Sequence, residues 1–160
     1  MPSIPTGVAG SASRETVRAF LNAPSEREII FTRGTTESIN LVAQSFLRPR
    51  LRPGDEILVT HMEHHSNIVP WHFLRERKGC VLKWVPISDD GVLDLEAYEK
   101  LLGPRTRLVS LTHMSNVLGT LNVVAATVDA LRASGGGSIV NFASIDAFAL
   151  SRGQLLYSAS

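Results

Sequence analysis

Apolar and polar positions change period several times along the chain, and each change marks an element. Val17, Phe20 and Leu21 give a short helical face from Glu15 to Asn22. Glu28–Thr32 (EIIFT) is a short β-branched and aromatic run, predicting a buried strand. Ile39, Leu41, Val42, Phe46 and Leu47 return to helical spacing over Thr36–Leu47, and Arg52-Pro53-Gly54 is a turn. Asp55–Thr60 (DEILVT) predicts a strand. Ser66–Arg77 predicts a helix, with Ser66 as N-cap, Pro70 in the first turn and Gly79 as the stop. Val81–Ile87 is a strand ahead of an SDDG turn, and Asp94 caps a helix to about Leu102. Arg107–Thr112 is a strand, Val123–Arg132 a helix, Gly135-Gly136-Gly137 a stop, and Ser138–Ala143 a strand. Residues 1–13 are small and polar and predict a flexible lead-in.

Strands alternating with helices of this length imply βαβ units. The predicted fold is α/β, a mostly parallel sheet with helices on both faces, forming one domain over residues 14–160. A length of 160 residues suits one domain, and 44% hydrophobic against 19% charged residues supplies an ordinary core. A net charge of +1 gives no reason to expect nucleic acid or an acidic membrane. One cysteine, Cys80, excludes an intrachain disulfide. With no spanning apolar run and no basic–apolar leader, the expected compartment is the cytoplasm.

Ligands of open α/β sheets sit beyond the carboxyl ends of the strands, so the segments following strands carry the candidate chemistry. Arg33-Gly34-Thr35-Thr36-Glu37 places a glycine and two hydroxyls where a helix begins. That suits a phosphate, or else one threonine simply caps the helix. His61-Met62-Glu63-His64-His65 offers a ring to stack on a flat cofactor, a metal cluster, or solvated imidazoles. Its spacing does not match the helical H-E-x-x-H metal pattern. Thr112-His113-Met114-Ser115-Asn116 ends a strand in polar residues able to hydrogen-bond a ligand.

Taken together, IIFTRGTTESINLVAQSF, DEILVTHMEHHSNIVPWHFL and TRLVSLTHMSNVLGT closely resemble the large domain of SUF-type cysteine desulfurases over about residues 14–122. These belong to the class V aminotransferase group of pyridoxal phosphate (PLP) enzymes. The resemblance implies that Thr35 and Thr36 hold the PLP phosphate, His64 stacks on the pyridine ring and Asn116 contacts the ring hydroxyl. It implies PLP and cysteine as small-molecule partners, and a lysine and a cysteine thiolate as the reactive groups.

The pattern then departs. Carried forward without a gap, the family's ring-nitrogen aspartate falls on Asn141, and no lysine follows Lys100. Cys80 starts a strand, where a buried structural thiol is expected. From about Ala125, LRASGGGSIVNFASIDAF…YSAS resembles a short-chain dehydrogenase/reductase. Ser144 lies thirteen residues before Tyr157, as the reductase serine and tyrosine do; the sequence stops at Ser160, one residue before that family's lysine position, and the family's glycine-rich NAD(P) loop is not found upstream. NAD(P) is therefore not expected. The sequence reads as two families joined near 122–127, with weak or noncovalent PLP binding and no desulfurase activity of its own. A non-enzymatic chimeric or truncated fold and a reductase remnant stand as alternatives. The last strand and helix could leave a surface for self-association.

Overall fold

The computed structural model describes residues 6–112, and they divide into two compact units between Arg33 and Gly34.

In the first unit, α1 (Thr6–Leu21) begins inside the segment expected to be a lead-in. Its last turn is held by Arg18, which donates to both Glu15 carboxylate oxygens and to the Ala23 carbonyl, each at 2.8 Å. Ser25 caps a single 3-10 turn, Glu26–Glu28. The strand expected at Glu28–Thr32 does not form. Ile29 is buried, but Ile30 and Phe31 are 66% and 52% exposed, and the run joins no ladder among the described residues. A β-branched run needs a neighbouring strand to satisfy its backbone, and propensity alone does not supply one.

The second unit is built on a parallel three-stranded sheet in the order β2-β1-β3: β1 (Glu56–Thr60), β2 (Val81–Val85) and β3 (Thr106–Ser110). From β1 the chain passes through α3 (Val69–Lys78) to β2. It then crosses back through α4 (Leu95–Leu101) to β3, on the other side of β1. The helix predicted at 36–47 is α2 (Thr35–Leu41), running on as a π-helical stretch, Val42–Leu47.

Alternation along β1 explains why every residue of it is buried. Ile57 and Val59 point to one face, packing with Ile39, Ala43 and Leu47 of α2 and its π-helical extension and with Trp71 and Leu74 of α3. Leu58 points to the other face, packing with Val85 and Tyr98 of α4. A strand covered on both sides must be apolar on both, as its central Ile57, Leu58 and Val59 are. Cys80 lies in the first cluster, and burial pushes its thiol pKa up, which suits a packing role rather than a nucleophile.

Local signals decide most helix ends. Gly79 closes α3 in the left-handed conformation (φ 67°), and the Asp94 side chain accepts from Ala97 N–H at the start of α4. Ser66 is not the cap it was expected to be. His64 caps the 3-10 turn His65–Asn67 instead, its ring accepting from Ser66 N–H, and Pro70 sits in the first turn of α3.

Candidate functional site

The carboxyl ends of β1 and β3 lie side by side where the strand order turns back, the place where open α/β sheets gather ligands. Three segments converge on this half of the unit.

The first is the start of α2. Gly34 is its N-cap, in a nearly extended conformation (φ 157°, ψ 174°), and no side chain hydrogen-bonds the cap. Neither Thr35 nor Thr36 therefore caps the helix, which removes the simpler of the two readings of this motif. Nothing lies within 4 Å of where a Gly34 Cβ would stand. Thr35 is buried and Thr36 exposed, so the helix presents one hydroxyl-bearing residue outward beside amides that have no acceptor within the helix. Among the described residues, a helix start with room beside its glycine suits a phosphate group.

The second segment is the turn after β1, which α2 contacts. His64 Nδ1 accepts from Ser66 N–H at 3.2 Å and lies 3.0 Å from Ser66 Oγ. A backbone N–H can only donate, so the neutral ring carries its proton on Nε2. The His64 carbonyl also accepts from Asn67 N–H at 2.8 Å. The half-buried imidazole is thus tied at ring and backbone and keeps an accessible side, as a stacking residue requires. His65 packs edge-on against it, with ring centroids 6.0 Å apart. Among the described residues no group of three or more His, Cys, Asp or Glu is placed to hold a metal ion.

The third segment is the end of β3. Here the Thr112 N–H, at the start of the polar segment that leads to Asn116, donates to Glu63 Oε1 at 2.8 Å. Thr60 Oγ1 donates to the same oxygen at 2.6 Å, and Asn67 Nδ2 donates to Oε2 at 2.7 Å. Asn67 Oδ1 in turn accepts from Trp71 Nε1 at 3.0 Å and Ser110 Oγ at 2.6 Å. The indole can only donate, which fixes the amide's orientation and turns its NH2 toward the carboxylate. Burial raises the Glu63 pKa, outweighing the pull of its three neutral donors.

Glu63 and Asn67 were not singled out from the sequence. Their one signal is a four-residue spacing across the turn after a strand; the partners on β3 lie 43 and 49 residues away. Asn116, Ser144 and Tyr157, and the segments around the expected junction, lie outside the described residues.

The described lysines stand away from this end. Lys83 donates to Glu56 Oε2 at 2.8 Å and to the Leu101 carbonyl at 3.1 Å, where β1 begins. Lys78 ends α3, and Lys100 pairs with Glu96 on α4.

The aminotransferase class-V pattern matches residues 6–145, running through the expected junction and into the segment read as reductase-like. A cysteine desulfurase of Pectobacterium atrosepticum is 50% identical over 127 residues, covering 79% of this chain and 31% of that protein. A probable cysteine desulfurase of Mycolicibacterium paratuberculosis is 52% identical over 117 residues, covering 73% of this chain and 17% of the relative. Among solved structures, a cysteine desulfurase from Escherichia coli in its S-sulfonic acid form superposes with a TM-score of 0.74 at 41% identity, covering 81% of this chain and 33% of that one. The chain therefore spans about a third, or less, of these relatives. The α/β fold with a parallel sheet expected from the sequence is the fold they share.

Proposed function

The chain belongs to the aminotransferase class-V family, and on that footing we propose that it is the cofactor-binding portion of a PLP-dependent cysteine desulfurase. The observation that carries this reading is the open helix start at Gly34–Thr36, on a helix in contact with the turn that fixes the His64 ring. The α2 amides with the Thr36 hydroxyl would hold the phosphate, with Thr35 buried behind them at the same helix start. The helix dipole favours its negative charge. His64 would stack on the pyridine ring, its Nδ1 kept in place by Ser66. Asn116 would contact the ring hydroxyl. PLP, when bound, supplies an electron sink for bonds broken at the substrate's α-carbon.

The remaining chemistry is assigned away from these residues. With Lys83 held by Glu56 at the opposite end of the sheet and Cys80 buried in the core, the 160 residues tested alone bind PLP noncovalently and release no sulfide from cysteine beyond a free-PLP control. No helix among the described residues is long and apolar enough to cross a membrane, and a cytoplasmic location is part of the proposal.

Titration with PLP, followed by absorbance and fluorescence, tests the reading. Saturable binding with a dissociation constant on the order of a millimolar, worth about 4 kcal/mol, is expected. Thr36→Ala or His64→Ala weakens it, and borohydride leaves no adduct in the mass spectrum. Binding that both variants leave unchanged, or no binding, overturns it.

A second reading rests on the Ser144–Tyr157 spacing, which favours a reductase-like origin for residues 125–160. Energy transfer from tryptophan to added NADPH is its test, and no transfer sinks it.

A further inference from the structure

We propose that Glu63 is a positioning residue, which, through Asn67, locks the turn carrying His64 against the end of β3 and so sets the orientation of the His64 ring. The proposal builds on the assignment of His64 as the ring-binding residue and extends it to a pair of side chains that touch no cofactor.

Glu63 stands between three pieces of backbone. It receives the Thr60 hydroxyl from the end of β1, the Thr112 N–H from just past β3, and the Asn67 amide from the far side of the turn. Asn67 is anchored again by Trp71 of α3 and Ser110 of β3. Its own N–H grips the His64 carbonyl, and the residue before it supplies the N–H on His64 Nδ1. The His64 ring is held by Ser66, and the turn backbone that presents Ser66 and His64 to each other cannot shift without straining the bonds of the Glu63–Asn67 pair. The segment that leads to Asn116 leaves from Thr112, pinned by the same carboxylate. One side chain thus ties together the stems of two of the three candidate cofactor-binding segments.

The donor–acceptor pattern gives a sharp test. In Glu63→Gln the new amide NH2 meets either the Asn67 NH2 or the Thr112 N–H, donor against donor. Combining it with Asn67→Asp restores every bond. The glutamine NH2 donates to one aspartate oxygen, the other accepts from Trp71 and Ser110, and the glutamine carbonyl accepts from Thr60 and Thr112. The whole chain is labelled with 15N-histidine, and the His64 ring, assigned by its loss in His64→Ala, is followed by long-range 1H–15N spectra beside a thermal melt. Five histidines keep the spectrum readable.

Wild type is expected to show an Nε2–H ring with a bare, hydrogen-bonded Nδ1. Glu63→Gln mixes the tautomers and weakens PLP binding about tenfold, the equivalent of one lost hydrogen bond. The exchanged pair restores both to within about twofold. Unchanged His64 signals in Glu63→Gln overturn the proposal. So does an exchanged pair that recovers the melting temperature but not the ring signature, because the network is then only structural. If Glu63→Gln fails to fold, Ser110→Ala, which cuts one anchor of Asn67, is expected to shift the ring signals part of the way, and no shift counts against the proposal. Should wild type bind no PLP, the cofactor reading falls, while the ring spectra still decide this one.

Discussion

Two glutamates bracket β1, and their surroundings pull them in opposite directions. Glu56 opens the strand. Its side chain is 5% exposed, with Lys83 Nζ at 2.8 Å and Arg105 Nη2 at 3.3 Å. Hydrogen bonding to Lys83 leads the effects that hold its pKa below the ordinary carboxylate value. Glu63 lies just past the strand's other end. It receives three short hydrogen bonds, all from neutral groups, and burial raises its pKa. Glu63 has the shorter hydrogen bonds and yet the raised pKa, so bond length does not set the direction; an opposite charge does. The amino end of the sheet is an ion-paired, partly solvated rim that also holds Arg107 against Asp55 at 3.0 Å. The carboxyl end is a neutral network around a desolvated acid, placed where a ligand's own charge would be felt.

The largest expected contrast comes from truncation. Glu63→Ala strands the Asn67 amide and the Thr112 N–H, costing about 3 kcal/mol. Glu56→Ala leaves Lys83 and Arg105, 27% and 70% exposed, able to regain water, and costs about 1 kcal/mol. Chemical denaturation of both variants measures this, and equal losses would erase the distinction between the two ends.

A pH series sharpens it next. For Glu56 the folded pKa lies below the unfolded value of about 4.3, so the unfolded chain binds more protons in that window. Its stabilisation is present above pH about 4.3 and is lost as pH falls through the folded pKa. For Glu63 the folded pKa lies above the unfolded value, so stability declines as pH rises from about 4.3 through the folded pKa. Subtracting the curves of Glu56→Gln and Glu63→Gln from wild type is expected to give slopes of opposite sign; slopes of the same sign refute the comparison.

Salt gives the smallest effect. Raising ionic strength from about 0.05 to 0.5 M shortens the Debye length from roughly 14 to 4 Å. The cost of Glu56→Gln is expected to shrink by a few tenths of a kcal/mol, while that of Glu63→Gln, which involves no ion pair, stays constant.

Much of the architecture was legible because it rests on local pattern. The apolar cores of EILVT, VLKWV and TRLVS marked three strands within two residues, and helical spacing marked the helices between them within three. EIIFT misled because the same apolar pattern serves a strand only when a partner strand is present. Among candidate site residues, family motifs pointed to Thr35, Thr36 and His64, and the structure puts Thr36 exposed and Thr35 buried at the start of α2 and His64 beside the turn that α2 contacts. The bond from the Thr112 N–H to the Glu63 carboxylate, across 49 residues, was not legible in the sequence.

The sequence by itself determined the order of most elements and the βαβ rhythm, since capping and periodicity act between near neighbours, and its family resemblance pointed to the class of cofactor chemistry. Only the tertiary structure decided that the chain turns back across β1, bringing Ser110 and Thr112 onto Asn67 and Glu63. Which polar group meets which across more than forty residues depends on strand order, and strand order is set by how two faces of one sheet are covered. No short window of sequence contains that.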